Sequence, residues 1–139
     1  MSLRLKGLCH MLNNKGQSLI LFVIVLPIIL LILVFIIDIG KVISLKSELN
    51  NISKIVLDYG LDYLEEQNLV NILEEITKKN KNDIDNVEIE IIEEKIYIKL
   101  YERYEGLFSS LINIPIYNIN VSYVGFIDDD IKRIENLGD

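Results

Sequence analysis

The sequence predicts an α+β protein. A long N-terminal helix, transmembrane in its first part and amphipathic in its second, is followed by a short helix and a small antiparallel sheet of about three strands. Three observations predict it. Leu19 to Ile37 is nineteen residues without a charge or a side-chain hydrogen-bonding group. Apolar residues then recur at alternating spacings of three and four from Val42 to Tyr63. After Asn86 the apolar period falls to two.

The apolar run is long enough for a membrane. As a helix it spans ~28 Å, about one hydrocarbon core. A helix also pairs its own backbone groups, which lipid requires. Pro27 lies inside the run and removes one N–H, a loss transmembrane helices tolerate. A chain of 139 residues could hardly surround a helix that is apolar on every face. A cleaved secretory signal fits poorly. The run exceeds the usual h-region, and the sequence has no Ala, so no A-x-A-like cleavage site follows.

Charge sets the expected orientation. The formal net charge is −7, and the acidic residues lie after Ile37. The first sixteen residues hold Arg4, Lys6 and Lys15 and no carboxylate side chain. Lys41, Lys46 and Lys54 follow the run, so the positive-inside difference is small; it favours a cytoplasmic N-terminus and an extracytoplasmic C-terminal domain in the cell membrane. An acidic chain is a poor ligand for phosphate backbones, and no nucleic-acid partner is expected.

Beyond the run, Val42, Leu45, Leu49, Ile52, Val56, Tyr59 and Tyr63 form a heptad seam flanked by polar residues. The seam packs either on the protein's own small domain or on the same helix of other subunits. One helix is predicted from about Ser18 to about Gln67, with Gly60 interrupting it late. Asn68 is placed to cap a short helix over Leu69 to Lys79, with Leu69, Ile72, Leu73 and Ile76 inward. Val87, Ile89 and Ile91 alternate with glutamates, Glu93-Glu94 makes a turn, and Ile96, Ile98 and Leu100 alternate again, which predicts a hairpin. Gly106 to Ile114 is a short helix or loop, Pro115 punctuates, and Tyr117 to Ile127 is a third strand. The expected organisation is therefore a basic leader (1–16), a transmembrane helix (17–39), its amphipathic continuation (40–67), a small extracytoplasmic α+β domain (68–127) and a charged, frayed tail (128–139).

The chemistry of catalysis is missing from the composition. His10 is the sole histidine and Cys9 the sole cysteine, both in the leader, so the outer domain offers no Ser-His-Asp, Cys-His or His-based zinc site and no internal disulfide. No glycine-rich phosphate loop occurs. The pairs Glu65-Glu66 and Glu74-Glu75 do not share a helix face, so they read as solvated surface. Asp128-Asp129-Asp130 lacks the spacing of a calcium loop. Asn51-Ile-Ser53 and Asn120-Val-Ser122 match the glycosylation sequon, which matters only in a eukaryotic secretory route. No catalytic residue, metal ligand or cofactor is expected, and the chain is read as a non-enzyme.

One stretch resembles a known family. Lys15-Gly16 abuts the run Gln17-Ser18-Leu19-Ile20-Leu21-Phe22-Val23-Ile24-Val25-Leu26-Pro27, and the helix ends in Asp38-Ile39-Gly40-Lys41. This pattern is similar to the N-terminus of TadE/TadG-like proteins of Tad (Flp) pilus assembly. There a basic residue and Gly precede an apolar helix with Leu-Pro eleven residues later, closed by an acidic residue, an apolar residue, Gly and a basic residue. The family-motif positions are thus Lys15, Gly16, Phe22, Leu26, Pro27, Asp38, Gly40 and Lys41. The resemblance implies a bacterial, pilin-like architecture. It also implies processing by a prepilin peptidase between Gly16 and Gln17, and other pilus or pseudopilus subunits and assembly machinery as partners besides the bilayer. The TadE pattern has Glu five residues after the Gly, where this chain has Leu21. That departure points to a minor, priming or tip subunit or an uncleaved anchor. The competing expectation is a membrane-tethered extracytoplasmic binding module without filament assembly.

Overall fold

A computed structural model describes the backbone of residues 2–113 and 117–138, and side chains within 15–111, at 113 and within 117–138. Pro115 and the side chains of Arg4, Lys6, Cys9 and His10 lie outside the described residues. The elements run α1 (Ser2–Asp62), α2 (Leu69–Asn80), β1 (Asn86–Ile92), β2 (Lys95–Tyr104), α3 (Leu107–Ile112), β3 (Tyr117–Asp128) and β4 (Ile131–Asn136). The fold is α+β, with four strands where the alternation predicted three.

The 61 residues of α1 make a rod of about 90 Å at 1.5 Å per residue. Its start lies upstream of the expected Ser18, and it passes through Pro27 without ending. Its most apolar window is wholly unburied within the chain. Leu, Ile, Val and Phe each favour insertion at mid-bilayer by about 0.3–0.6 kcal/mol, so this run contributes roughly 5–10 kcal/mol, enough to anchor the chain.

The rest of α1 is a core element. Val42 is partly buried, and Leu45, Leu49, Ile52 and Val56 are buried against the sheet. Tyr59 and Tyr63 are exposed, with their ring centroids 4.6 Å apart and the planes tilted by 33°, and Leu57 and Leu61 take the inward positions instead. The reason is helical pitch. A strict seven-residue seam drifts by about 20° per heptad on a helix of 3.6 residues per turn unless two helices supercoil. Here the helix packs on a sheet, so the buried stripe follows 3.6. The helix ends at Asp62, and the chain reverses through Tyr63–Asn68, with Tyr63 and Glu66 closing turns and Asn68 at φ 72°. Asn68 is the residue before α2, but its side chain makes no cap bond; its backbone carbonyl accepts the Ile72 N–H at 3.2 Å. In α2, Leu69, Leu73 and Thr77 are buried, while Ile72 and Ile76 are only partly so.

The sheet is an antiparallel meander in the order β1-β2-β3-β4. Ile89, Ile96, Ile98, Leu100, Ile119, Val121 and Tyr123 line the face covered by α1 and α2. Two acidic turns close the hairpins: Glu93-Glu94 at φ 51° and 62°, and Asp129-Asp130 at φ 50° and 60°. Both φ values are positive in each pair, as in the two-residue turns that match strand twist.

Ile131–Asn136, expected as a frayed tail, is instead β4. Its alternation is unclear in sequence because Ile131 and Ile134 fall on opposite faces. Order comes from pairing with β3 and from Lys132, whose Nζ reaches Asp58 at 2.9 Å and Asp62 at 2.8 Å on α1. A short, charged outer strand also discourages edge-to-edge association.

Candidate functional site

The functional features concentrate where the span meets the domain. Asp38 is the first residue after the apolar run, and it is fully buried. Its Oδ1 accepts the Leu107 N–H at 2.9 Å, and its Oδ2 accepts the Phe108 N–H at 2.7 Å. The first turn of a helix leaves its N–H groups without intrahelical partners, and a carboxylate there satisfies both hydrogen bonding and the helix dipole. Asp38 supplies this cap from another element, because Gly106, which precedes α3, has no side chain to do so. A Cβ at Gly106 would overlap the Asp38 carboxyl group. The Tyr104 hydroxyl also lies within 3.4 Å of Oδ1. Burial, and then the Asp38 carboxylate, push that phenol above its usual pKa. Phe35, one turn earlier on α1, meets the Phe108 ring at 5.2 Å between centroids.

Both Asp38 carboxylate oxygens are thus engaged within the chain. Its motif companions Gly40 and Lys41 are exposed, and nothing within 4 Å fills the space beside Gly40. At the other end of the span, Lys15 and Gln17 are exposed and Gly16 is partly so, all within α1. Leu21, Phe22, Leu26 and Pro27 are exposed on the apolar stretch. The structure therefore does not bring the motif residues together: Lys15-Gly16 and Asp38 to Lys41 mark the two borders of one span, and Phe22, Leu26 and Pro27 lie within it.

A second polar cluster ties the domain to the helix. Lys81 Nζ lies 3.3 Å from Glu48, 3.3 Å from Asp83 and 3.4 Å from Glu102, with the Lys81 and Glu102 side chains largely buried. Burial raises the Glu102 pKa and outweighs the lowering by Lys81. Burial works against the Lys81 ammonium, but Glu102, Glu48 and Asp83 outweigh it and hold its pKa above the usual value. Sequence reasoning missed this cluster and the cap alike. Nothing local marks Lys81, and the one signal for Asp38 was an acid set directly against an apolar run.

Residues 16–53 match the family model described as TadE-like protein. This N-terminal segment is TadE-like. The match begins at Gly16, covers the whole span and Asp38-Ile39-Gly40-Lys41, and ends within the core-facing part of α1. No curated protein and no solved structure matches the chain. Among the described residues, one helix is long and apolar enough to cross a membrane. The TadE-like match on that helix supports a single-pass membrane protein associated in general terms with Tad pilus assembly.

Proposed function

We propose that the chain is a minor pilus or pseudopilus subunit, or a pilus-assembly membrane protein, of the Tad (Flp) type. The observation that carries this reading is the TadE-like match over residues 16–53. The continuity of α1 from Ser2 to Asp62 supports it, because one uninterrupted rod joins the span to the domain, as in pilin-like subunits. On this reading the N-terminus is cytoplasmic and the α+β domain extracytoplasmic. The partners are other pilus or pseudopilus subunits and their assembly machinery, and the role is structural rather than enzymatic.

Maturation by a prepilin peptidase belongs to the same proposal. Gly16 borders the span, and a residue without Cβ lets a protease approach the backbone closely. Cleavage after it would leave Gln17 with a free amine at the membrane edge. Leu21, where the family pattern has Glu, offers no carboxylate to that amine, which favours a minor subunit over the repeating one. Intact-mass measurement of the protein purified from membranes of cells with an active prepilin peptidase tests this. Loss of residues 1–16 is the expected result. A full-length chain would overturn the processed-subunit reading and favour a tethered binding module.

A further inference from the structure

We propose that α3 is a second membrane contact, inserting Leu107, Phe108 and Leu111 into the lipid leaflet on the domain's side of the bilayer. Depth comes first. Phe108 packs on Phe35 at 5.2 Å, and Phe35 lies two residues, ~3 Å along the axis, inside the end of the apolar run. The Asp38 bonds to the Leu107 and Phe108 N–H groups lock α3 at that level. A helix of six residues does not hold itself together in water, so this cap is what places it.

Leu107 and Leu111 are four residues apart, on one helix face, and are 58% and 65% exposed. No Asp, Glu, Lys or Arg occurs from Gly106 to Ile127. The opposite end of the domain is different. In the meander both hairpin turns lie at the end away from α3, and these carry Glu93, Glu94, Asp129 and Asp130. The acidic turns thus lie far from the span, while α3 itself carries no charged side chain and is flanked by Arg103 and Glu105 where β2 ends. An anionic membrane surface repels the acidic turns, and α3 meets it without a charge of its own. Lipid is the occupant because the patch joins the exposed apolar surface of the span through the Phe35–Phe108 contact. This contact does not depend on whether the chain joins a filament.

The test uses the unsubstituted full-length chain, one copy per lipid nanodisc of phosphatidylcholine and phosphatidylglycerol. The discs carry a photoactivatable diazirine on the lipid acyl chain, and adducts are mapped by mass spectrometry. Adducts are expected on the span and on the peptide holding Leu107 to Leu111, the latter at least about tenfold above the peptide holding Glu93 and Glu94. Adducts confined to the span would overturn the proposal. A second measurement places a spin label at Leu111→Cys in a Cys9→Ser background. Collisions with dissolved oxygen should exceed those with a water-soluble nickel reagent, as at an Ile36→Cys control. A label as water-accessible as one at Glu94→Cys would overturn the proposal. So would a label shielded from both reagents, which would show protein, not lipid, covering α3.

Discussion

The Asp38 carboxylate accepts the Phe108 N–H at 2.7 Å across seventy positions of sequence. A residue at the border of the span thereby caps a helix of the domain, and the junction becomes a specified geometry rather than a free hinge.

Removing that carboxylate should loosen the junction. Asp38→Ala leaves two partly buried N–H groups without partners, at a cost of about 1–3 kcal/mol. Asp38→Asn keeps one acceptor and should cost roughly half as much. Hydrogen exchange of the full chain in nanodiscs checks this: amides of residues 107–112 should exchange faster in the order wild type, Asn, Ala. Equal protection in all three would refute the cap.

Gly106 and Asp38 should be coupled. Gly106→Ala places a methyl group where the Asp38 carboxyl lies, and overpacking of this kind costs about 1–3 kcal/mol. In an Asp38→Ala background the clash is gone, so Gly106→Ala should cost at least about 1 kcal/mol less there. Urea unfolding of the four variants gives the interaction energy, and strict additivity would contradict the contact.

Gly60 decides between helix propensity and space. A Cβ there meets Ile96 Cδ1 at 2.7 Å and Leu73 Cδ1 at 3.0 Å, both tips of flexible side chains. Ala gains about 1 kcal/mol of helix propensity, which offsets that adjustment, so Gly60→Ala should fall within about 1 kcal/mol of neutral. Gly60→Val adds bulk that the tips cannot clear and should cost about 1–3 kcal/mol. A stabilising Val would show that α1 does not approach β2 and α2 this closely.

The Lys81 cluster should make stability depend on pH. Replacing Lys81 with Met leaves Glu102 buried without its cation, a loss of about 1–3 kcal/mol at pH 7. Burial already raises the Glu102 pKa above its usual 4.5, and removing Lys81 raises it further. A carboxyl with a raised folded pKa binds more protons folded than unfolded, so stability falls as pH rises from the unfolded value through the folded one. The variant should therefore lose stability more steeply than wild type as pH rises above about 4.5, and Glu102→Gln should remove most of that slope. Thermal unfolding followed across this range by circular dichroism measures both.

The membrane span, the long helix and three of the four strands were legible in the sequence alone. These rest on local periodicity: an unbroken apolar run has few solutions outside lipid, and strict alternation between Val87 and Leu100 admits only a half-buried strand pair. It also marked both borders of the span, at Lys15-Gly16 and at Asp38-Ile39-Gly40-Lys41. The remaining features depend on contacts between residues far apart in the chain. Ile131–Asn136 became a strand because β3 offered an unpaired edge and Asp58 and Asp62 offered partners to Lys132, none of them sequence neighbours. The heptad seam from Val42 to Tyr63 could serve a sheet or a second helix. Packing on the sheet turned Tyr59 and Tyr63 outward and drew in Leu57 and Leu61. Asp38 acquired its role only when the β2–β3 connection returned to the end of the span. The charge was legible from the start, but its partners are backbone N–H groups, which every residue except proline carries and which no sequence pattern distinguishes.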